Sequence, residues 1–180
     1  SIAPASAQDE MTEVRAYIDW SSRVSTFNQE VVGLMSAANQ ADNIATAYEQ
    51  GQIDAAAATG YLIDWRTQVD TELLRMGGIR DELSAGPAQF PEENAESVSG
   101  MVVNIASTMD SIGEFLTMTE AATQRAISGD PVDANLLTAS RFSVLQQYYV
   151  SLIRTNEIAI ETGDQSHPQT FLLAAMNENM

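Results

Sequence analysis

The chain has 180 residues, no cysteine, and a formal charge of −17 at pH 7; its eight basic residues are all arginine. A domain of this length buries roughly 70% of the surface its unfolded form exposes, so it needs no disulfide or metal staple. Missing cysteine excludes thiolate catalysis, iron–sulfur clusters and covalent haem, missing lysine excludes Schiff-base chemistry, and the negative field repels nucleic acid.

Residues 1–8 are expected to form a flexible tail. Ala5-Ser6-Ala7 fits the small-x-small pattern that precedes a signal-peptidase cut, which points to a leader remnant and to a periplasmic or secreted bacterial protein. No apolar stretch approaches the ~20 residues needed to span a bilayer.

From residue 9 onward, glycine and proline cluster at a few places and are sparse between them, as in long helices with short connectors. The breaks predict helices over about 9–49, 54–84, 91–127 and 133–162, with a short one near 168–177, in a single domain spanning 9–180. At the first connector, Gly51 suits the position just past a helix end and Asp54 the N-cap of the next helix. Gly129 and Asp133 repeat that pair at the third. Pro91 is expected at the first helical position of the third helix, with Glu92, Glu93 and Glu96 in its positive first turn.

The strongest signal lies in the first segment. Tyr17, Trp20, Val24, Phe27, Val31, Leu34, Ala38, Ala41, Ala45 and Tyr48 follow at alternating steps of three and four. That period excludes a strand and imposes side-by-side helix packing. The second segment offers Ala58, Leu62, Trp65, Val69, Leu73, Met76, Ile79 and Leu83. The third offers Val98, Val102, Ile105, Met109, Ile112 and Leu116, widened by Met101 and Phe115. For the fourth, the expected seam is Phe142, Leu145, Tyr149 and Leu152, flanked by Val144, Tyr148 and Ile153, with Asn156 as a polar interruption. Size matching places Ala38 and Ala41 opposite Tyr61, Leu62 and Trp65. Short connectors make sequential helices neighbours, so the expected fold is all-α: an up-down-up-down antiparallel four-helix bundle of long helices.

Little in this frame points to chemistry. His167 is the single histidine, so the paired Glu-x-x-His motifs of a di-iron bundle cannot be built. Asp130, Asp133 and Asn135 lack the spacing of a calcium loop and read as helix caps. No nucleophile elbow or phosphate-cradling glycine loop is present. The expectation is therefore a non-enzyme with no catalytic residue, cofactor or metal. Gly77-Gly78 inside the second helix suggests either a close helix approach or a hinge.

The leading functional expectation is an exported interaction or structural module, with another protein or a second copy of itself as partner. The alternative is a small-molecule sensor bundle, similar in architecture to extracytoplasmic chemoreceptor sensor domains, with a pocket between helices. Those domains are tethered by membrane helices, which these residues do not supply. The expected ligand or partner contacts are Trp20, Trp65, Tyr61, Tyr148, Tyr149, Phe90 and Phe171, aromatic groups on seams, in a connector or in the last segment. Exposed apolar residues such as Phe90 and Phe171, with Leu172 and Leu173, would mark a partner patch.

Overall fold

Four long α-helices account for nearly all of the computed structural model, which describes residues 4–163. They are α1 (Pro4–Glu49), α2 (Ala55–Ser84), α3 (Ala95–Ser128) and α4 (Ala134–Thr162), with a 3₁₀ turn at Glu92–Asn94. The four pack together, and no strand occurs among the described residues. No described helix is long and apolar enough to cross a membrane. The helix expected near 168–177 lies outside the described residues.

The helix ends follow from local chemistry. Gly51 and Gly129 take φ of +69° and +76°, conformations that strain any residue with a Cβ. The Gln52 amide then donates to the Ala47 carbonyl at 2.9 Å, and the Asp130 amide to the Arg125 carbonyl at 2.9 Å, closing each helix end. Asp54 Oδ1 accepts from the Ala57 amide at 2.8 Å and Asp133 Oδ1 from the Leu136 amide at 3.1 Å, so both aspartates cap as expected. Two boundaries differ from the sequence reading. α1 begins at Pro4, inside the stretch expected as a tail, because proline is tolerated in a first turn and alanine favours helix. The third helix starts later than 91: Pro91 is extended (ψ 136°) and caps the 3₁₀ turn, and α3 proper begins at Ala95.

Two compact units emerge, each drawing on all four helices. Unit 1 comprises Ser1–Asn28, Ile79–Ala106 and Tyr148–Met180; unit 2 comprises Gln29–Gly78 and Ser107–Gln147.

In unit 1, Tyr17, Trp20, Val24 and Phe27 of α1 are buried with Leu83, Val98, Met101, Ile105 and Ile158. Polar residues share this interior: Ser21, Ser25 and Asn28 on α1, Asn104 on α3, and Ser151, Thr155 and Asn156 on α4. Asn28 Nδ2 donates to Ser151 Oγ, joining α1 to α4. Ser21 Oγ, Asn28 Oδ1 and Asn156 Oδ1 are buried without a hydrogen-bond partner among the described residues. The Arg154 guanidinium lies against Gly100, where an added Cβ would collide with it.

In unit 2, the α1 seam continues through Val31, Leu34, Ala38 and Ala41 against Leu62, Trp65, Val69, Met76, Ile112, Phe115 and Leu116. The Trp65 indole donates to the Ala37 carbonyl at 2.8 Å, which puts the bulky ring beside the small α1 residues as size matching predicts. Buried Thr119 and Thr123 donate to carbonyls of their own helix, at 2.9 and 3.0 Å, and so leave no hydroxyl unsatisfied. Arg66 bridges Asp70 at 2.6 Å and Glu120 at 3.2 Å, tying α2 to α3. α2 runs unbroken through Gly77-Gly78, and a Cβ at either position would meet nothing within 4 Å. Close approach of a neighbour therefore does not account for these glycines.

The expected seam of α4 is overturned. Phe142, Tyr149 and Ile153 are exposed, and Leu145 and Leu152 are only half-buried. The buried line is Ser140, Val144, Ser151, Thr155, Ile158 and Ala159. Both faces of α4 carry apolar residues, so hydrophobic spacing alone could not choose between them. Small hydroxyl residues fit the tight inner position at low cost, because Thr155 Oγ1 donates to the Ser151 carbonyl at 3.0 Å.

Candidate functional site

Two features of the described surface could engage a partner: a groove in unit 2 and the outward side of α4. The groove lies where Gly33 and Ala37 present little side chain on α1. Leu34, Trp65 and Val69 form its apolar wall, and its volume is about 380 Å³. A Cβ at Gly33 would meet nothing within 4 Å, so the space there is open. The bond from Trp65 to Ala37 fixes the indole plane along this wall.

Arg75 stands at one end of the groove with Glu30 at 3.0 Å and Glu72 at 2.9 Å. Its guanidinium pKa is raised, first by the hydrogen bond with Glu30 and next by that with Glu72. One cation shared by two carboxylates leaves this end with one net negative charge. Gln40 and Gln68 add amide groups elsewhere on the lining. This arrangement suits a small ligand with an apolar body and a neutral or cationic head. Among the described residues, no group of three or more acidic or histidine side chains is placed to hold a metal ion.

The outward side of α4 is the second feature. At ~100° per residue, Tyr149, Ile153 and Ile160 lie about half a turn round the helix from Ser151 and Thr155. They are 57%, 51% and 62% exposed in unit 1, and Phe142, on the same side of α4 in unit 2, is 66% exposed. In unit 1, polar residues therefore point inward and apolar ones outward. Scattered exposed apolar residues are ordinary, but a line of them opposite a polar interior is not.

The residues singled out in the sequence separate accordingly. Trp20 is buried in unit 1, and its indole donates to the Leu83 carbonyl at 2.9 Å, so its polar tip is already occupied. Trp65 is buried too, yet it lines the groove. Tyr61 is exposed on α2. Tyr148 and Tyr149 meet edge to face with centroids 5.8 Å apart, Tyr149 outermost. Phe90 is half-buried in the connector before the 3₁₀ turn. Phe171 lies outside the described residues. Sequence reasoning missed Gly33, Glu30 and Arg75 of the groove, and it counted Phe142 and Tyr149 as core. Their one sequence signal was that Ser140, Ser151 and Thr155 share a helical face with Val144.

One titrating group is strongly perturbed. The Tyr17 hydroxyl is pushed up to about 12, first by burial and then by the charge of Glu161, partly offset by a hydrogen bond with Ser97. Its setting is structural, deep in unit 1. Compared with protein-family models, with curated proteins and with solved structures, the chain matches none.

Proposed function

We propose that this chain is a non-catalytic, exported helical bundle that acts as a protein-interaction module through the outward side of α4. The observation that carries the reading is the apolar line of Tyr149, Ile153 and Ile160 in unit 1, with Phe142 on the same side in unit 2. Its non-catalytic character rests on composition, with a single histidine and no cysteine or lysine. Export rests on the Ala5-Ser6-Ala7 pattern alone.

The helices are proposed to run up-down-up-down. Pairings inside each unit support this. In unit 1, Trp20 bonds to Leu83 and Arg23 to Glu82; in unit 2, Glu30 pairs with Arg75 and Ala37 with Trp65. As numbers climb along α1 they fall along α2. Asn94–Glu161 and Gly100–Arg154 in unit 1 follow the same rule for α3 and α4.

A photo-crosslinking residue at Phe142, in the full chain expressed in its source cell, should give one discrete protein adduct. The same residue at Asp64, on an exposed part of α2, should give none. Absence of an adduct at Phe142 would overturn the reading. Cell fractionation tests export: recovery in the periplasm or medium supports it, and confinement to the cytosol contradicts it.

A second reading, a ligand-binding sensor-like bundle, is favoured by the unit 2 groove beside Trp65. Benzylamine matches its apolar wall and negative end. In a Trp20→Phe background, benzylamine should change Trp65 emission saturably, and an unchanged spectrum would count against this reading.

A further inference from the structure

We infer that the chain's own segment Phe171–Met176 covers the outward apolar line of α4 in unit 1, so that the interaction surface is capped from within. The inference rests on the interaction reading above and adds its regulation.

Four observations select this occupant. First, the line needs a cover: Tyr149, Ile153 and Ile160 are each more than half exposed, while α4 turns Ser151, Thr155 and Asn156 inward. Second, the chain leaves α4 in the right sense. Gly163 takes φ of +70° and its amide donates to the Ile160 carbonyl at 3.2 Å, so the backbone turns back at the end of the line. Third, the reach matches. Residues 164–167 make the link, and a helix over 168–177 would be ~15 Å long against ~16 Å from Tyr149 to Ile160. Phe171, Leu172, Ala175 and Met176 would then share one face of that helix.

Fourth, charge separates this segment from a second copy. Residues 165–177 contain no Asp, Glu, Lys or Arg, whereas another molecule would bring a further −17 against the first. A tethered segment also acts at a millimolar-scale effective concentration, which a free copy at micromolar concentration does not reach.

The natural lack of cysteine makes the test clean. The full-length Ile153→Cys/Leu172→Cys variant, oxidised with oxidised glutathione at micromolar concentration, should close an intramolecular disulfide. Asp64→Cys/Leu172→Cys should not. A covalent dimer would assign the line to a second copy and overturn the inference, as would the absence of any link.

A second measurement needs no cross-link. Maleimide should label Ile153→Cys about tenfold faster when Phe171→Ser and Leu172→Ser are added, because local opening no longer limits access. Equal rates would overturn the capping and leave the interaction reading standing. A closed Ile153–Leu172 link without any partner adduct at Phe142 would sustain the capping and remove that reading.

Discussion

Units 1 and 2 draw on the same four helices and the same α1 heptads, yet fill their interiors differently. Unit 2 closes α1 on Leu62, Trp65, Val69, Phe115 and Leu116, and its buried Thr119 and Thr123 hydroxyls bond to their own helix. Unit 1 mixes Trp20 and Phe27 with Ser21, Asn28, Ser151 and Asn156, three of which keep an unsatisfied buried oxygen or hydroxyl. An unsatisfied buried polar group costs about 1–3 kcal/mol, so the second interior gives up stability that the first keeps. The same helix that carries inward polarity in unit 1 carries the outward apolar line. Where apolar residues are spent on the surface, fewer are left for the core.

Substitutions can break or sharpen this contrast. The largest effect is expected in unit 2, where Phe115→Ala should cost ~3–5 kcal/mol in denaturant unfolding. A loss below about 1 kcal/mol would mean that this core is not closely packed.

Tyr17 reports on the interior of unit 1 through pH. Tyrosine is neutral when protonated, and its folded pKa of about 12 lies above the unfolded value of 10.0. The folded state therefore holds the proton more tightly, and the contribution is complete below pH 10. As pH rises from 10 to 12, up to about 2.7 kcal/mol should be lost. Tyr17→Phe should remove that slope; an identical slope in the variant would show that Tyr17 does not titrate in this way.

Ser151→Ala strands the Asn28 amide and should destabilise by ~1–3 kcal/mol. By contrast, Asn156→Leu removes an unsatisfied carbonyl and should stabilise by ~1 kcal/mol. Melting curves that move together, or in the opposite order, would show that the polarity of unit 1 is fully satisfied.

The smallest effect concerns the point where α2 passes from one unit to the other, immediately after Gly77-Gly78. Helical geometry and open space let alanine fit at both positions, so Gly77→Ala and Gly78→Ala should each stabilise by ~0.4–1 kcal/mol. A loss of stability instead would show that the helix needs glycine there.

Much of the fold was legible because its signals are redundant. The α1 seam from Tyr17 to Ala41 is buried throughout, and Gly51, Asp54, Gly129 and Asp133 mark ends and caps that serve no other use. α4 was misread because its hydrophobic pattern is two-sided. Phe142, Tyr149 and Ile153 outweigh Val144 in any count of apolar residues, while Ser140, Ser151 and Thr155 satisfy a tight inner position by being small. The groove was invisible for a related reason. Gly33 and Ala37 interrupt no period, and a hollow left by small side chains has no signature until its opposite wall is known.

The orientation of α4 underlies both the contrast and the proposed function, and single cysteines in this cysteine-free chain test it most directly. Maleimide should react quickly with Phe142→Cys and slowly with Val144→Cys and Ser151→Cys. Fast labelling at positions 144 and 151 with protection at 142 would put the apolar line in the core and contradict the account.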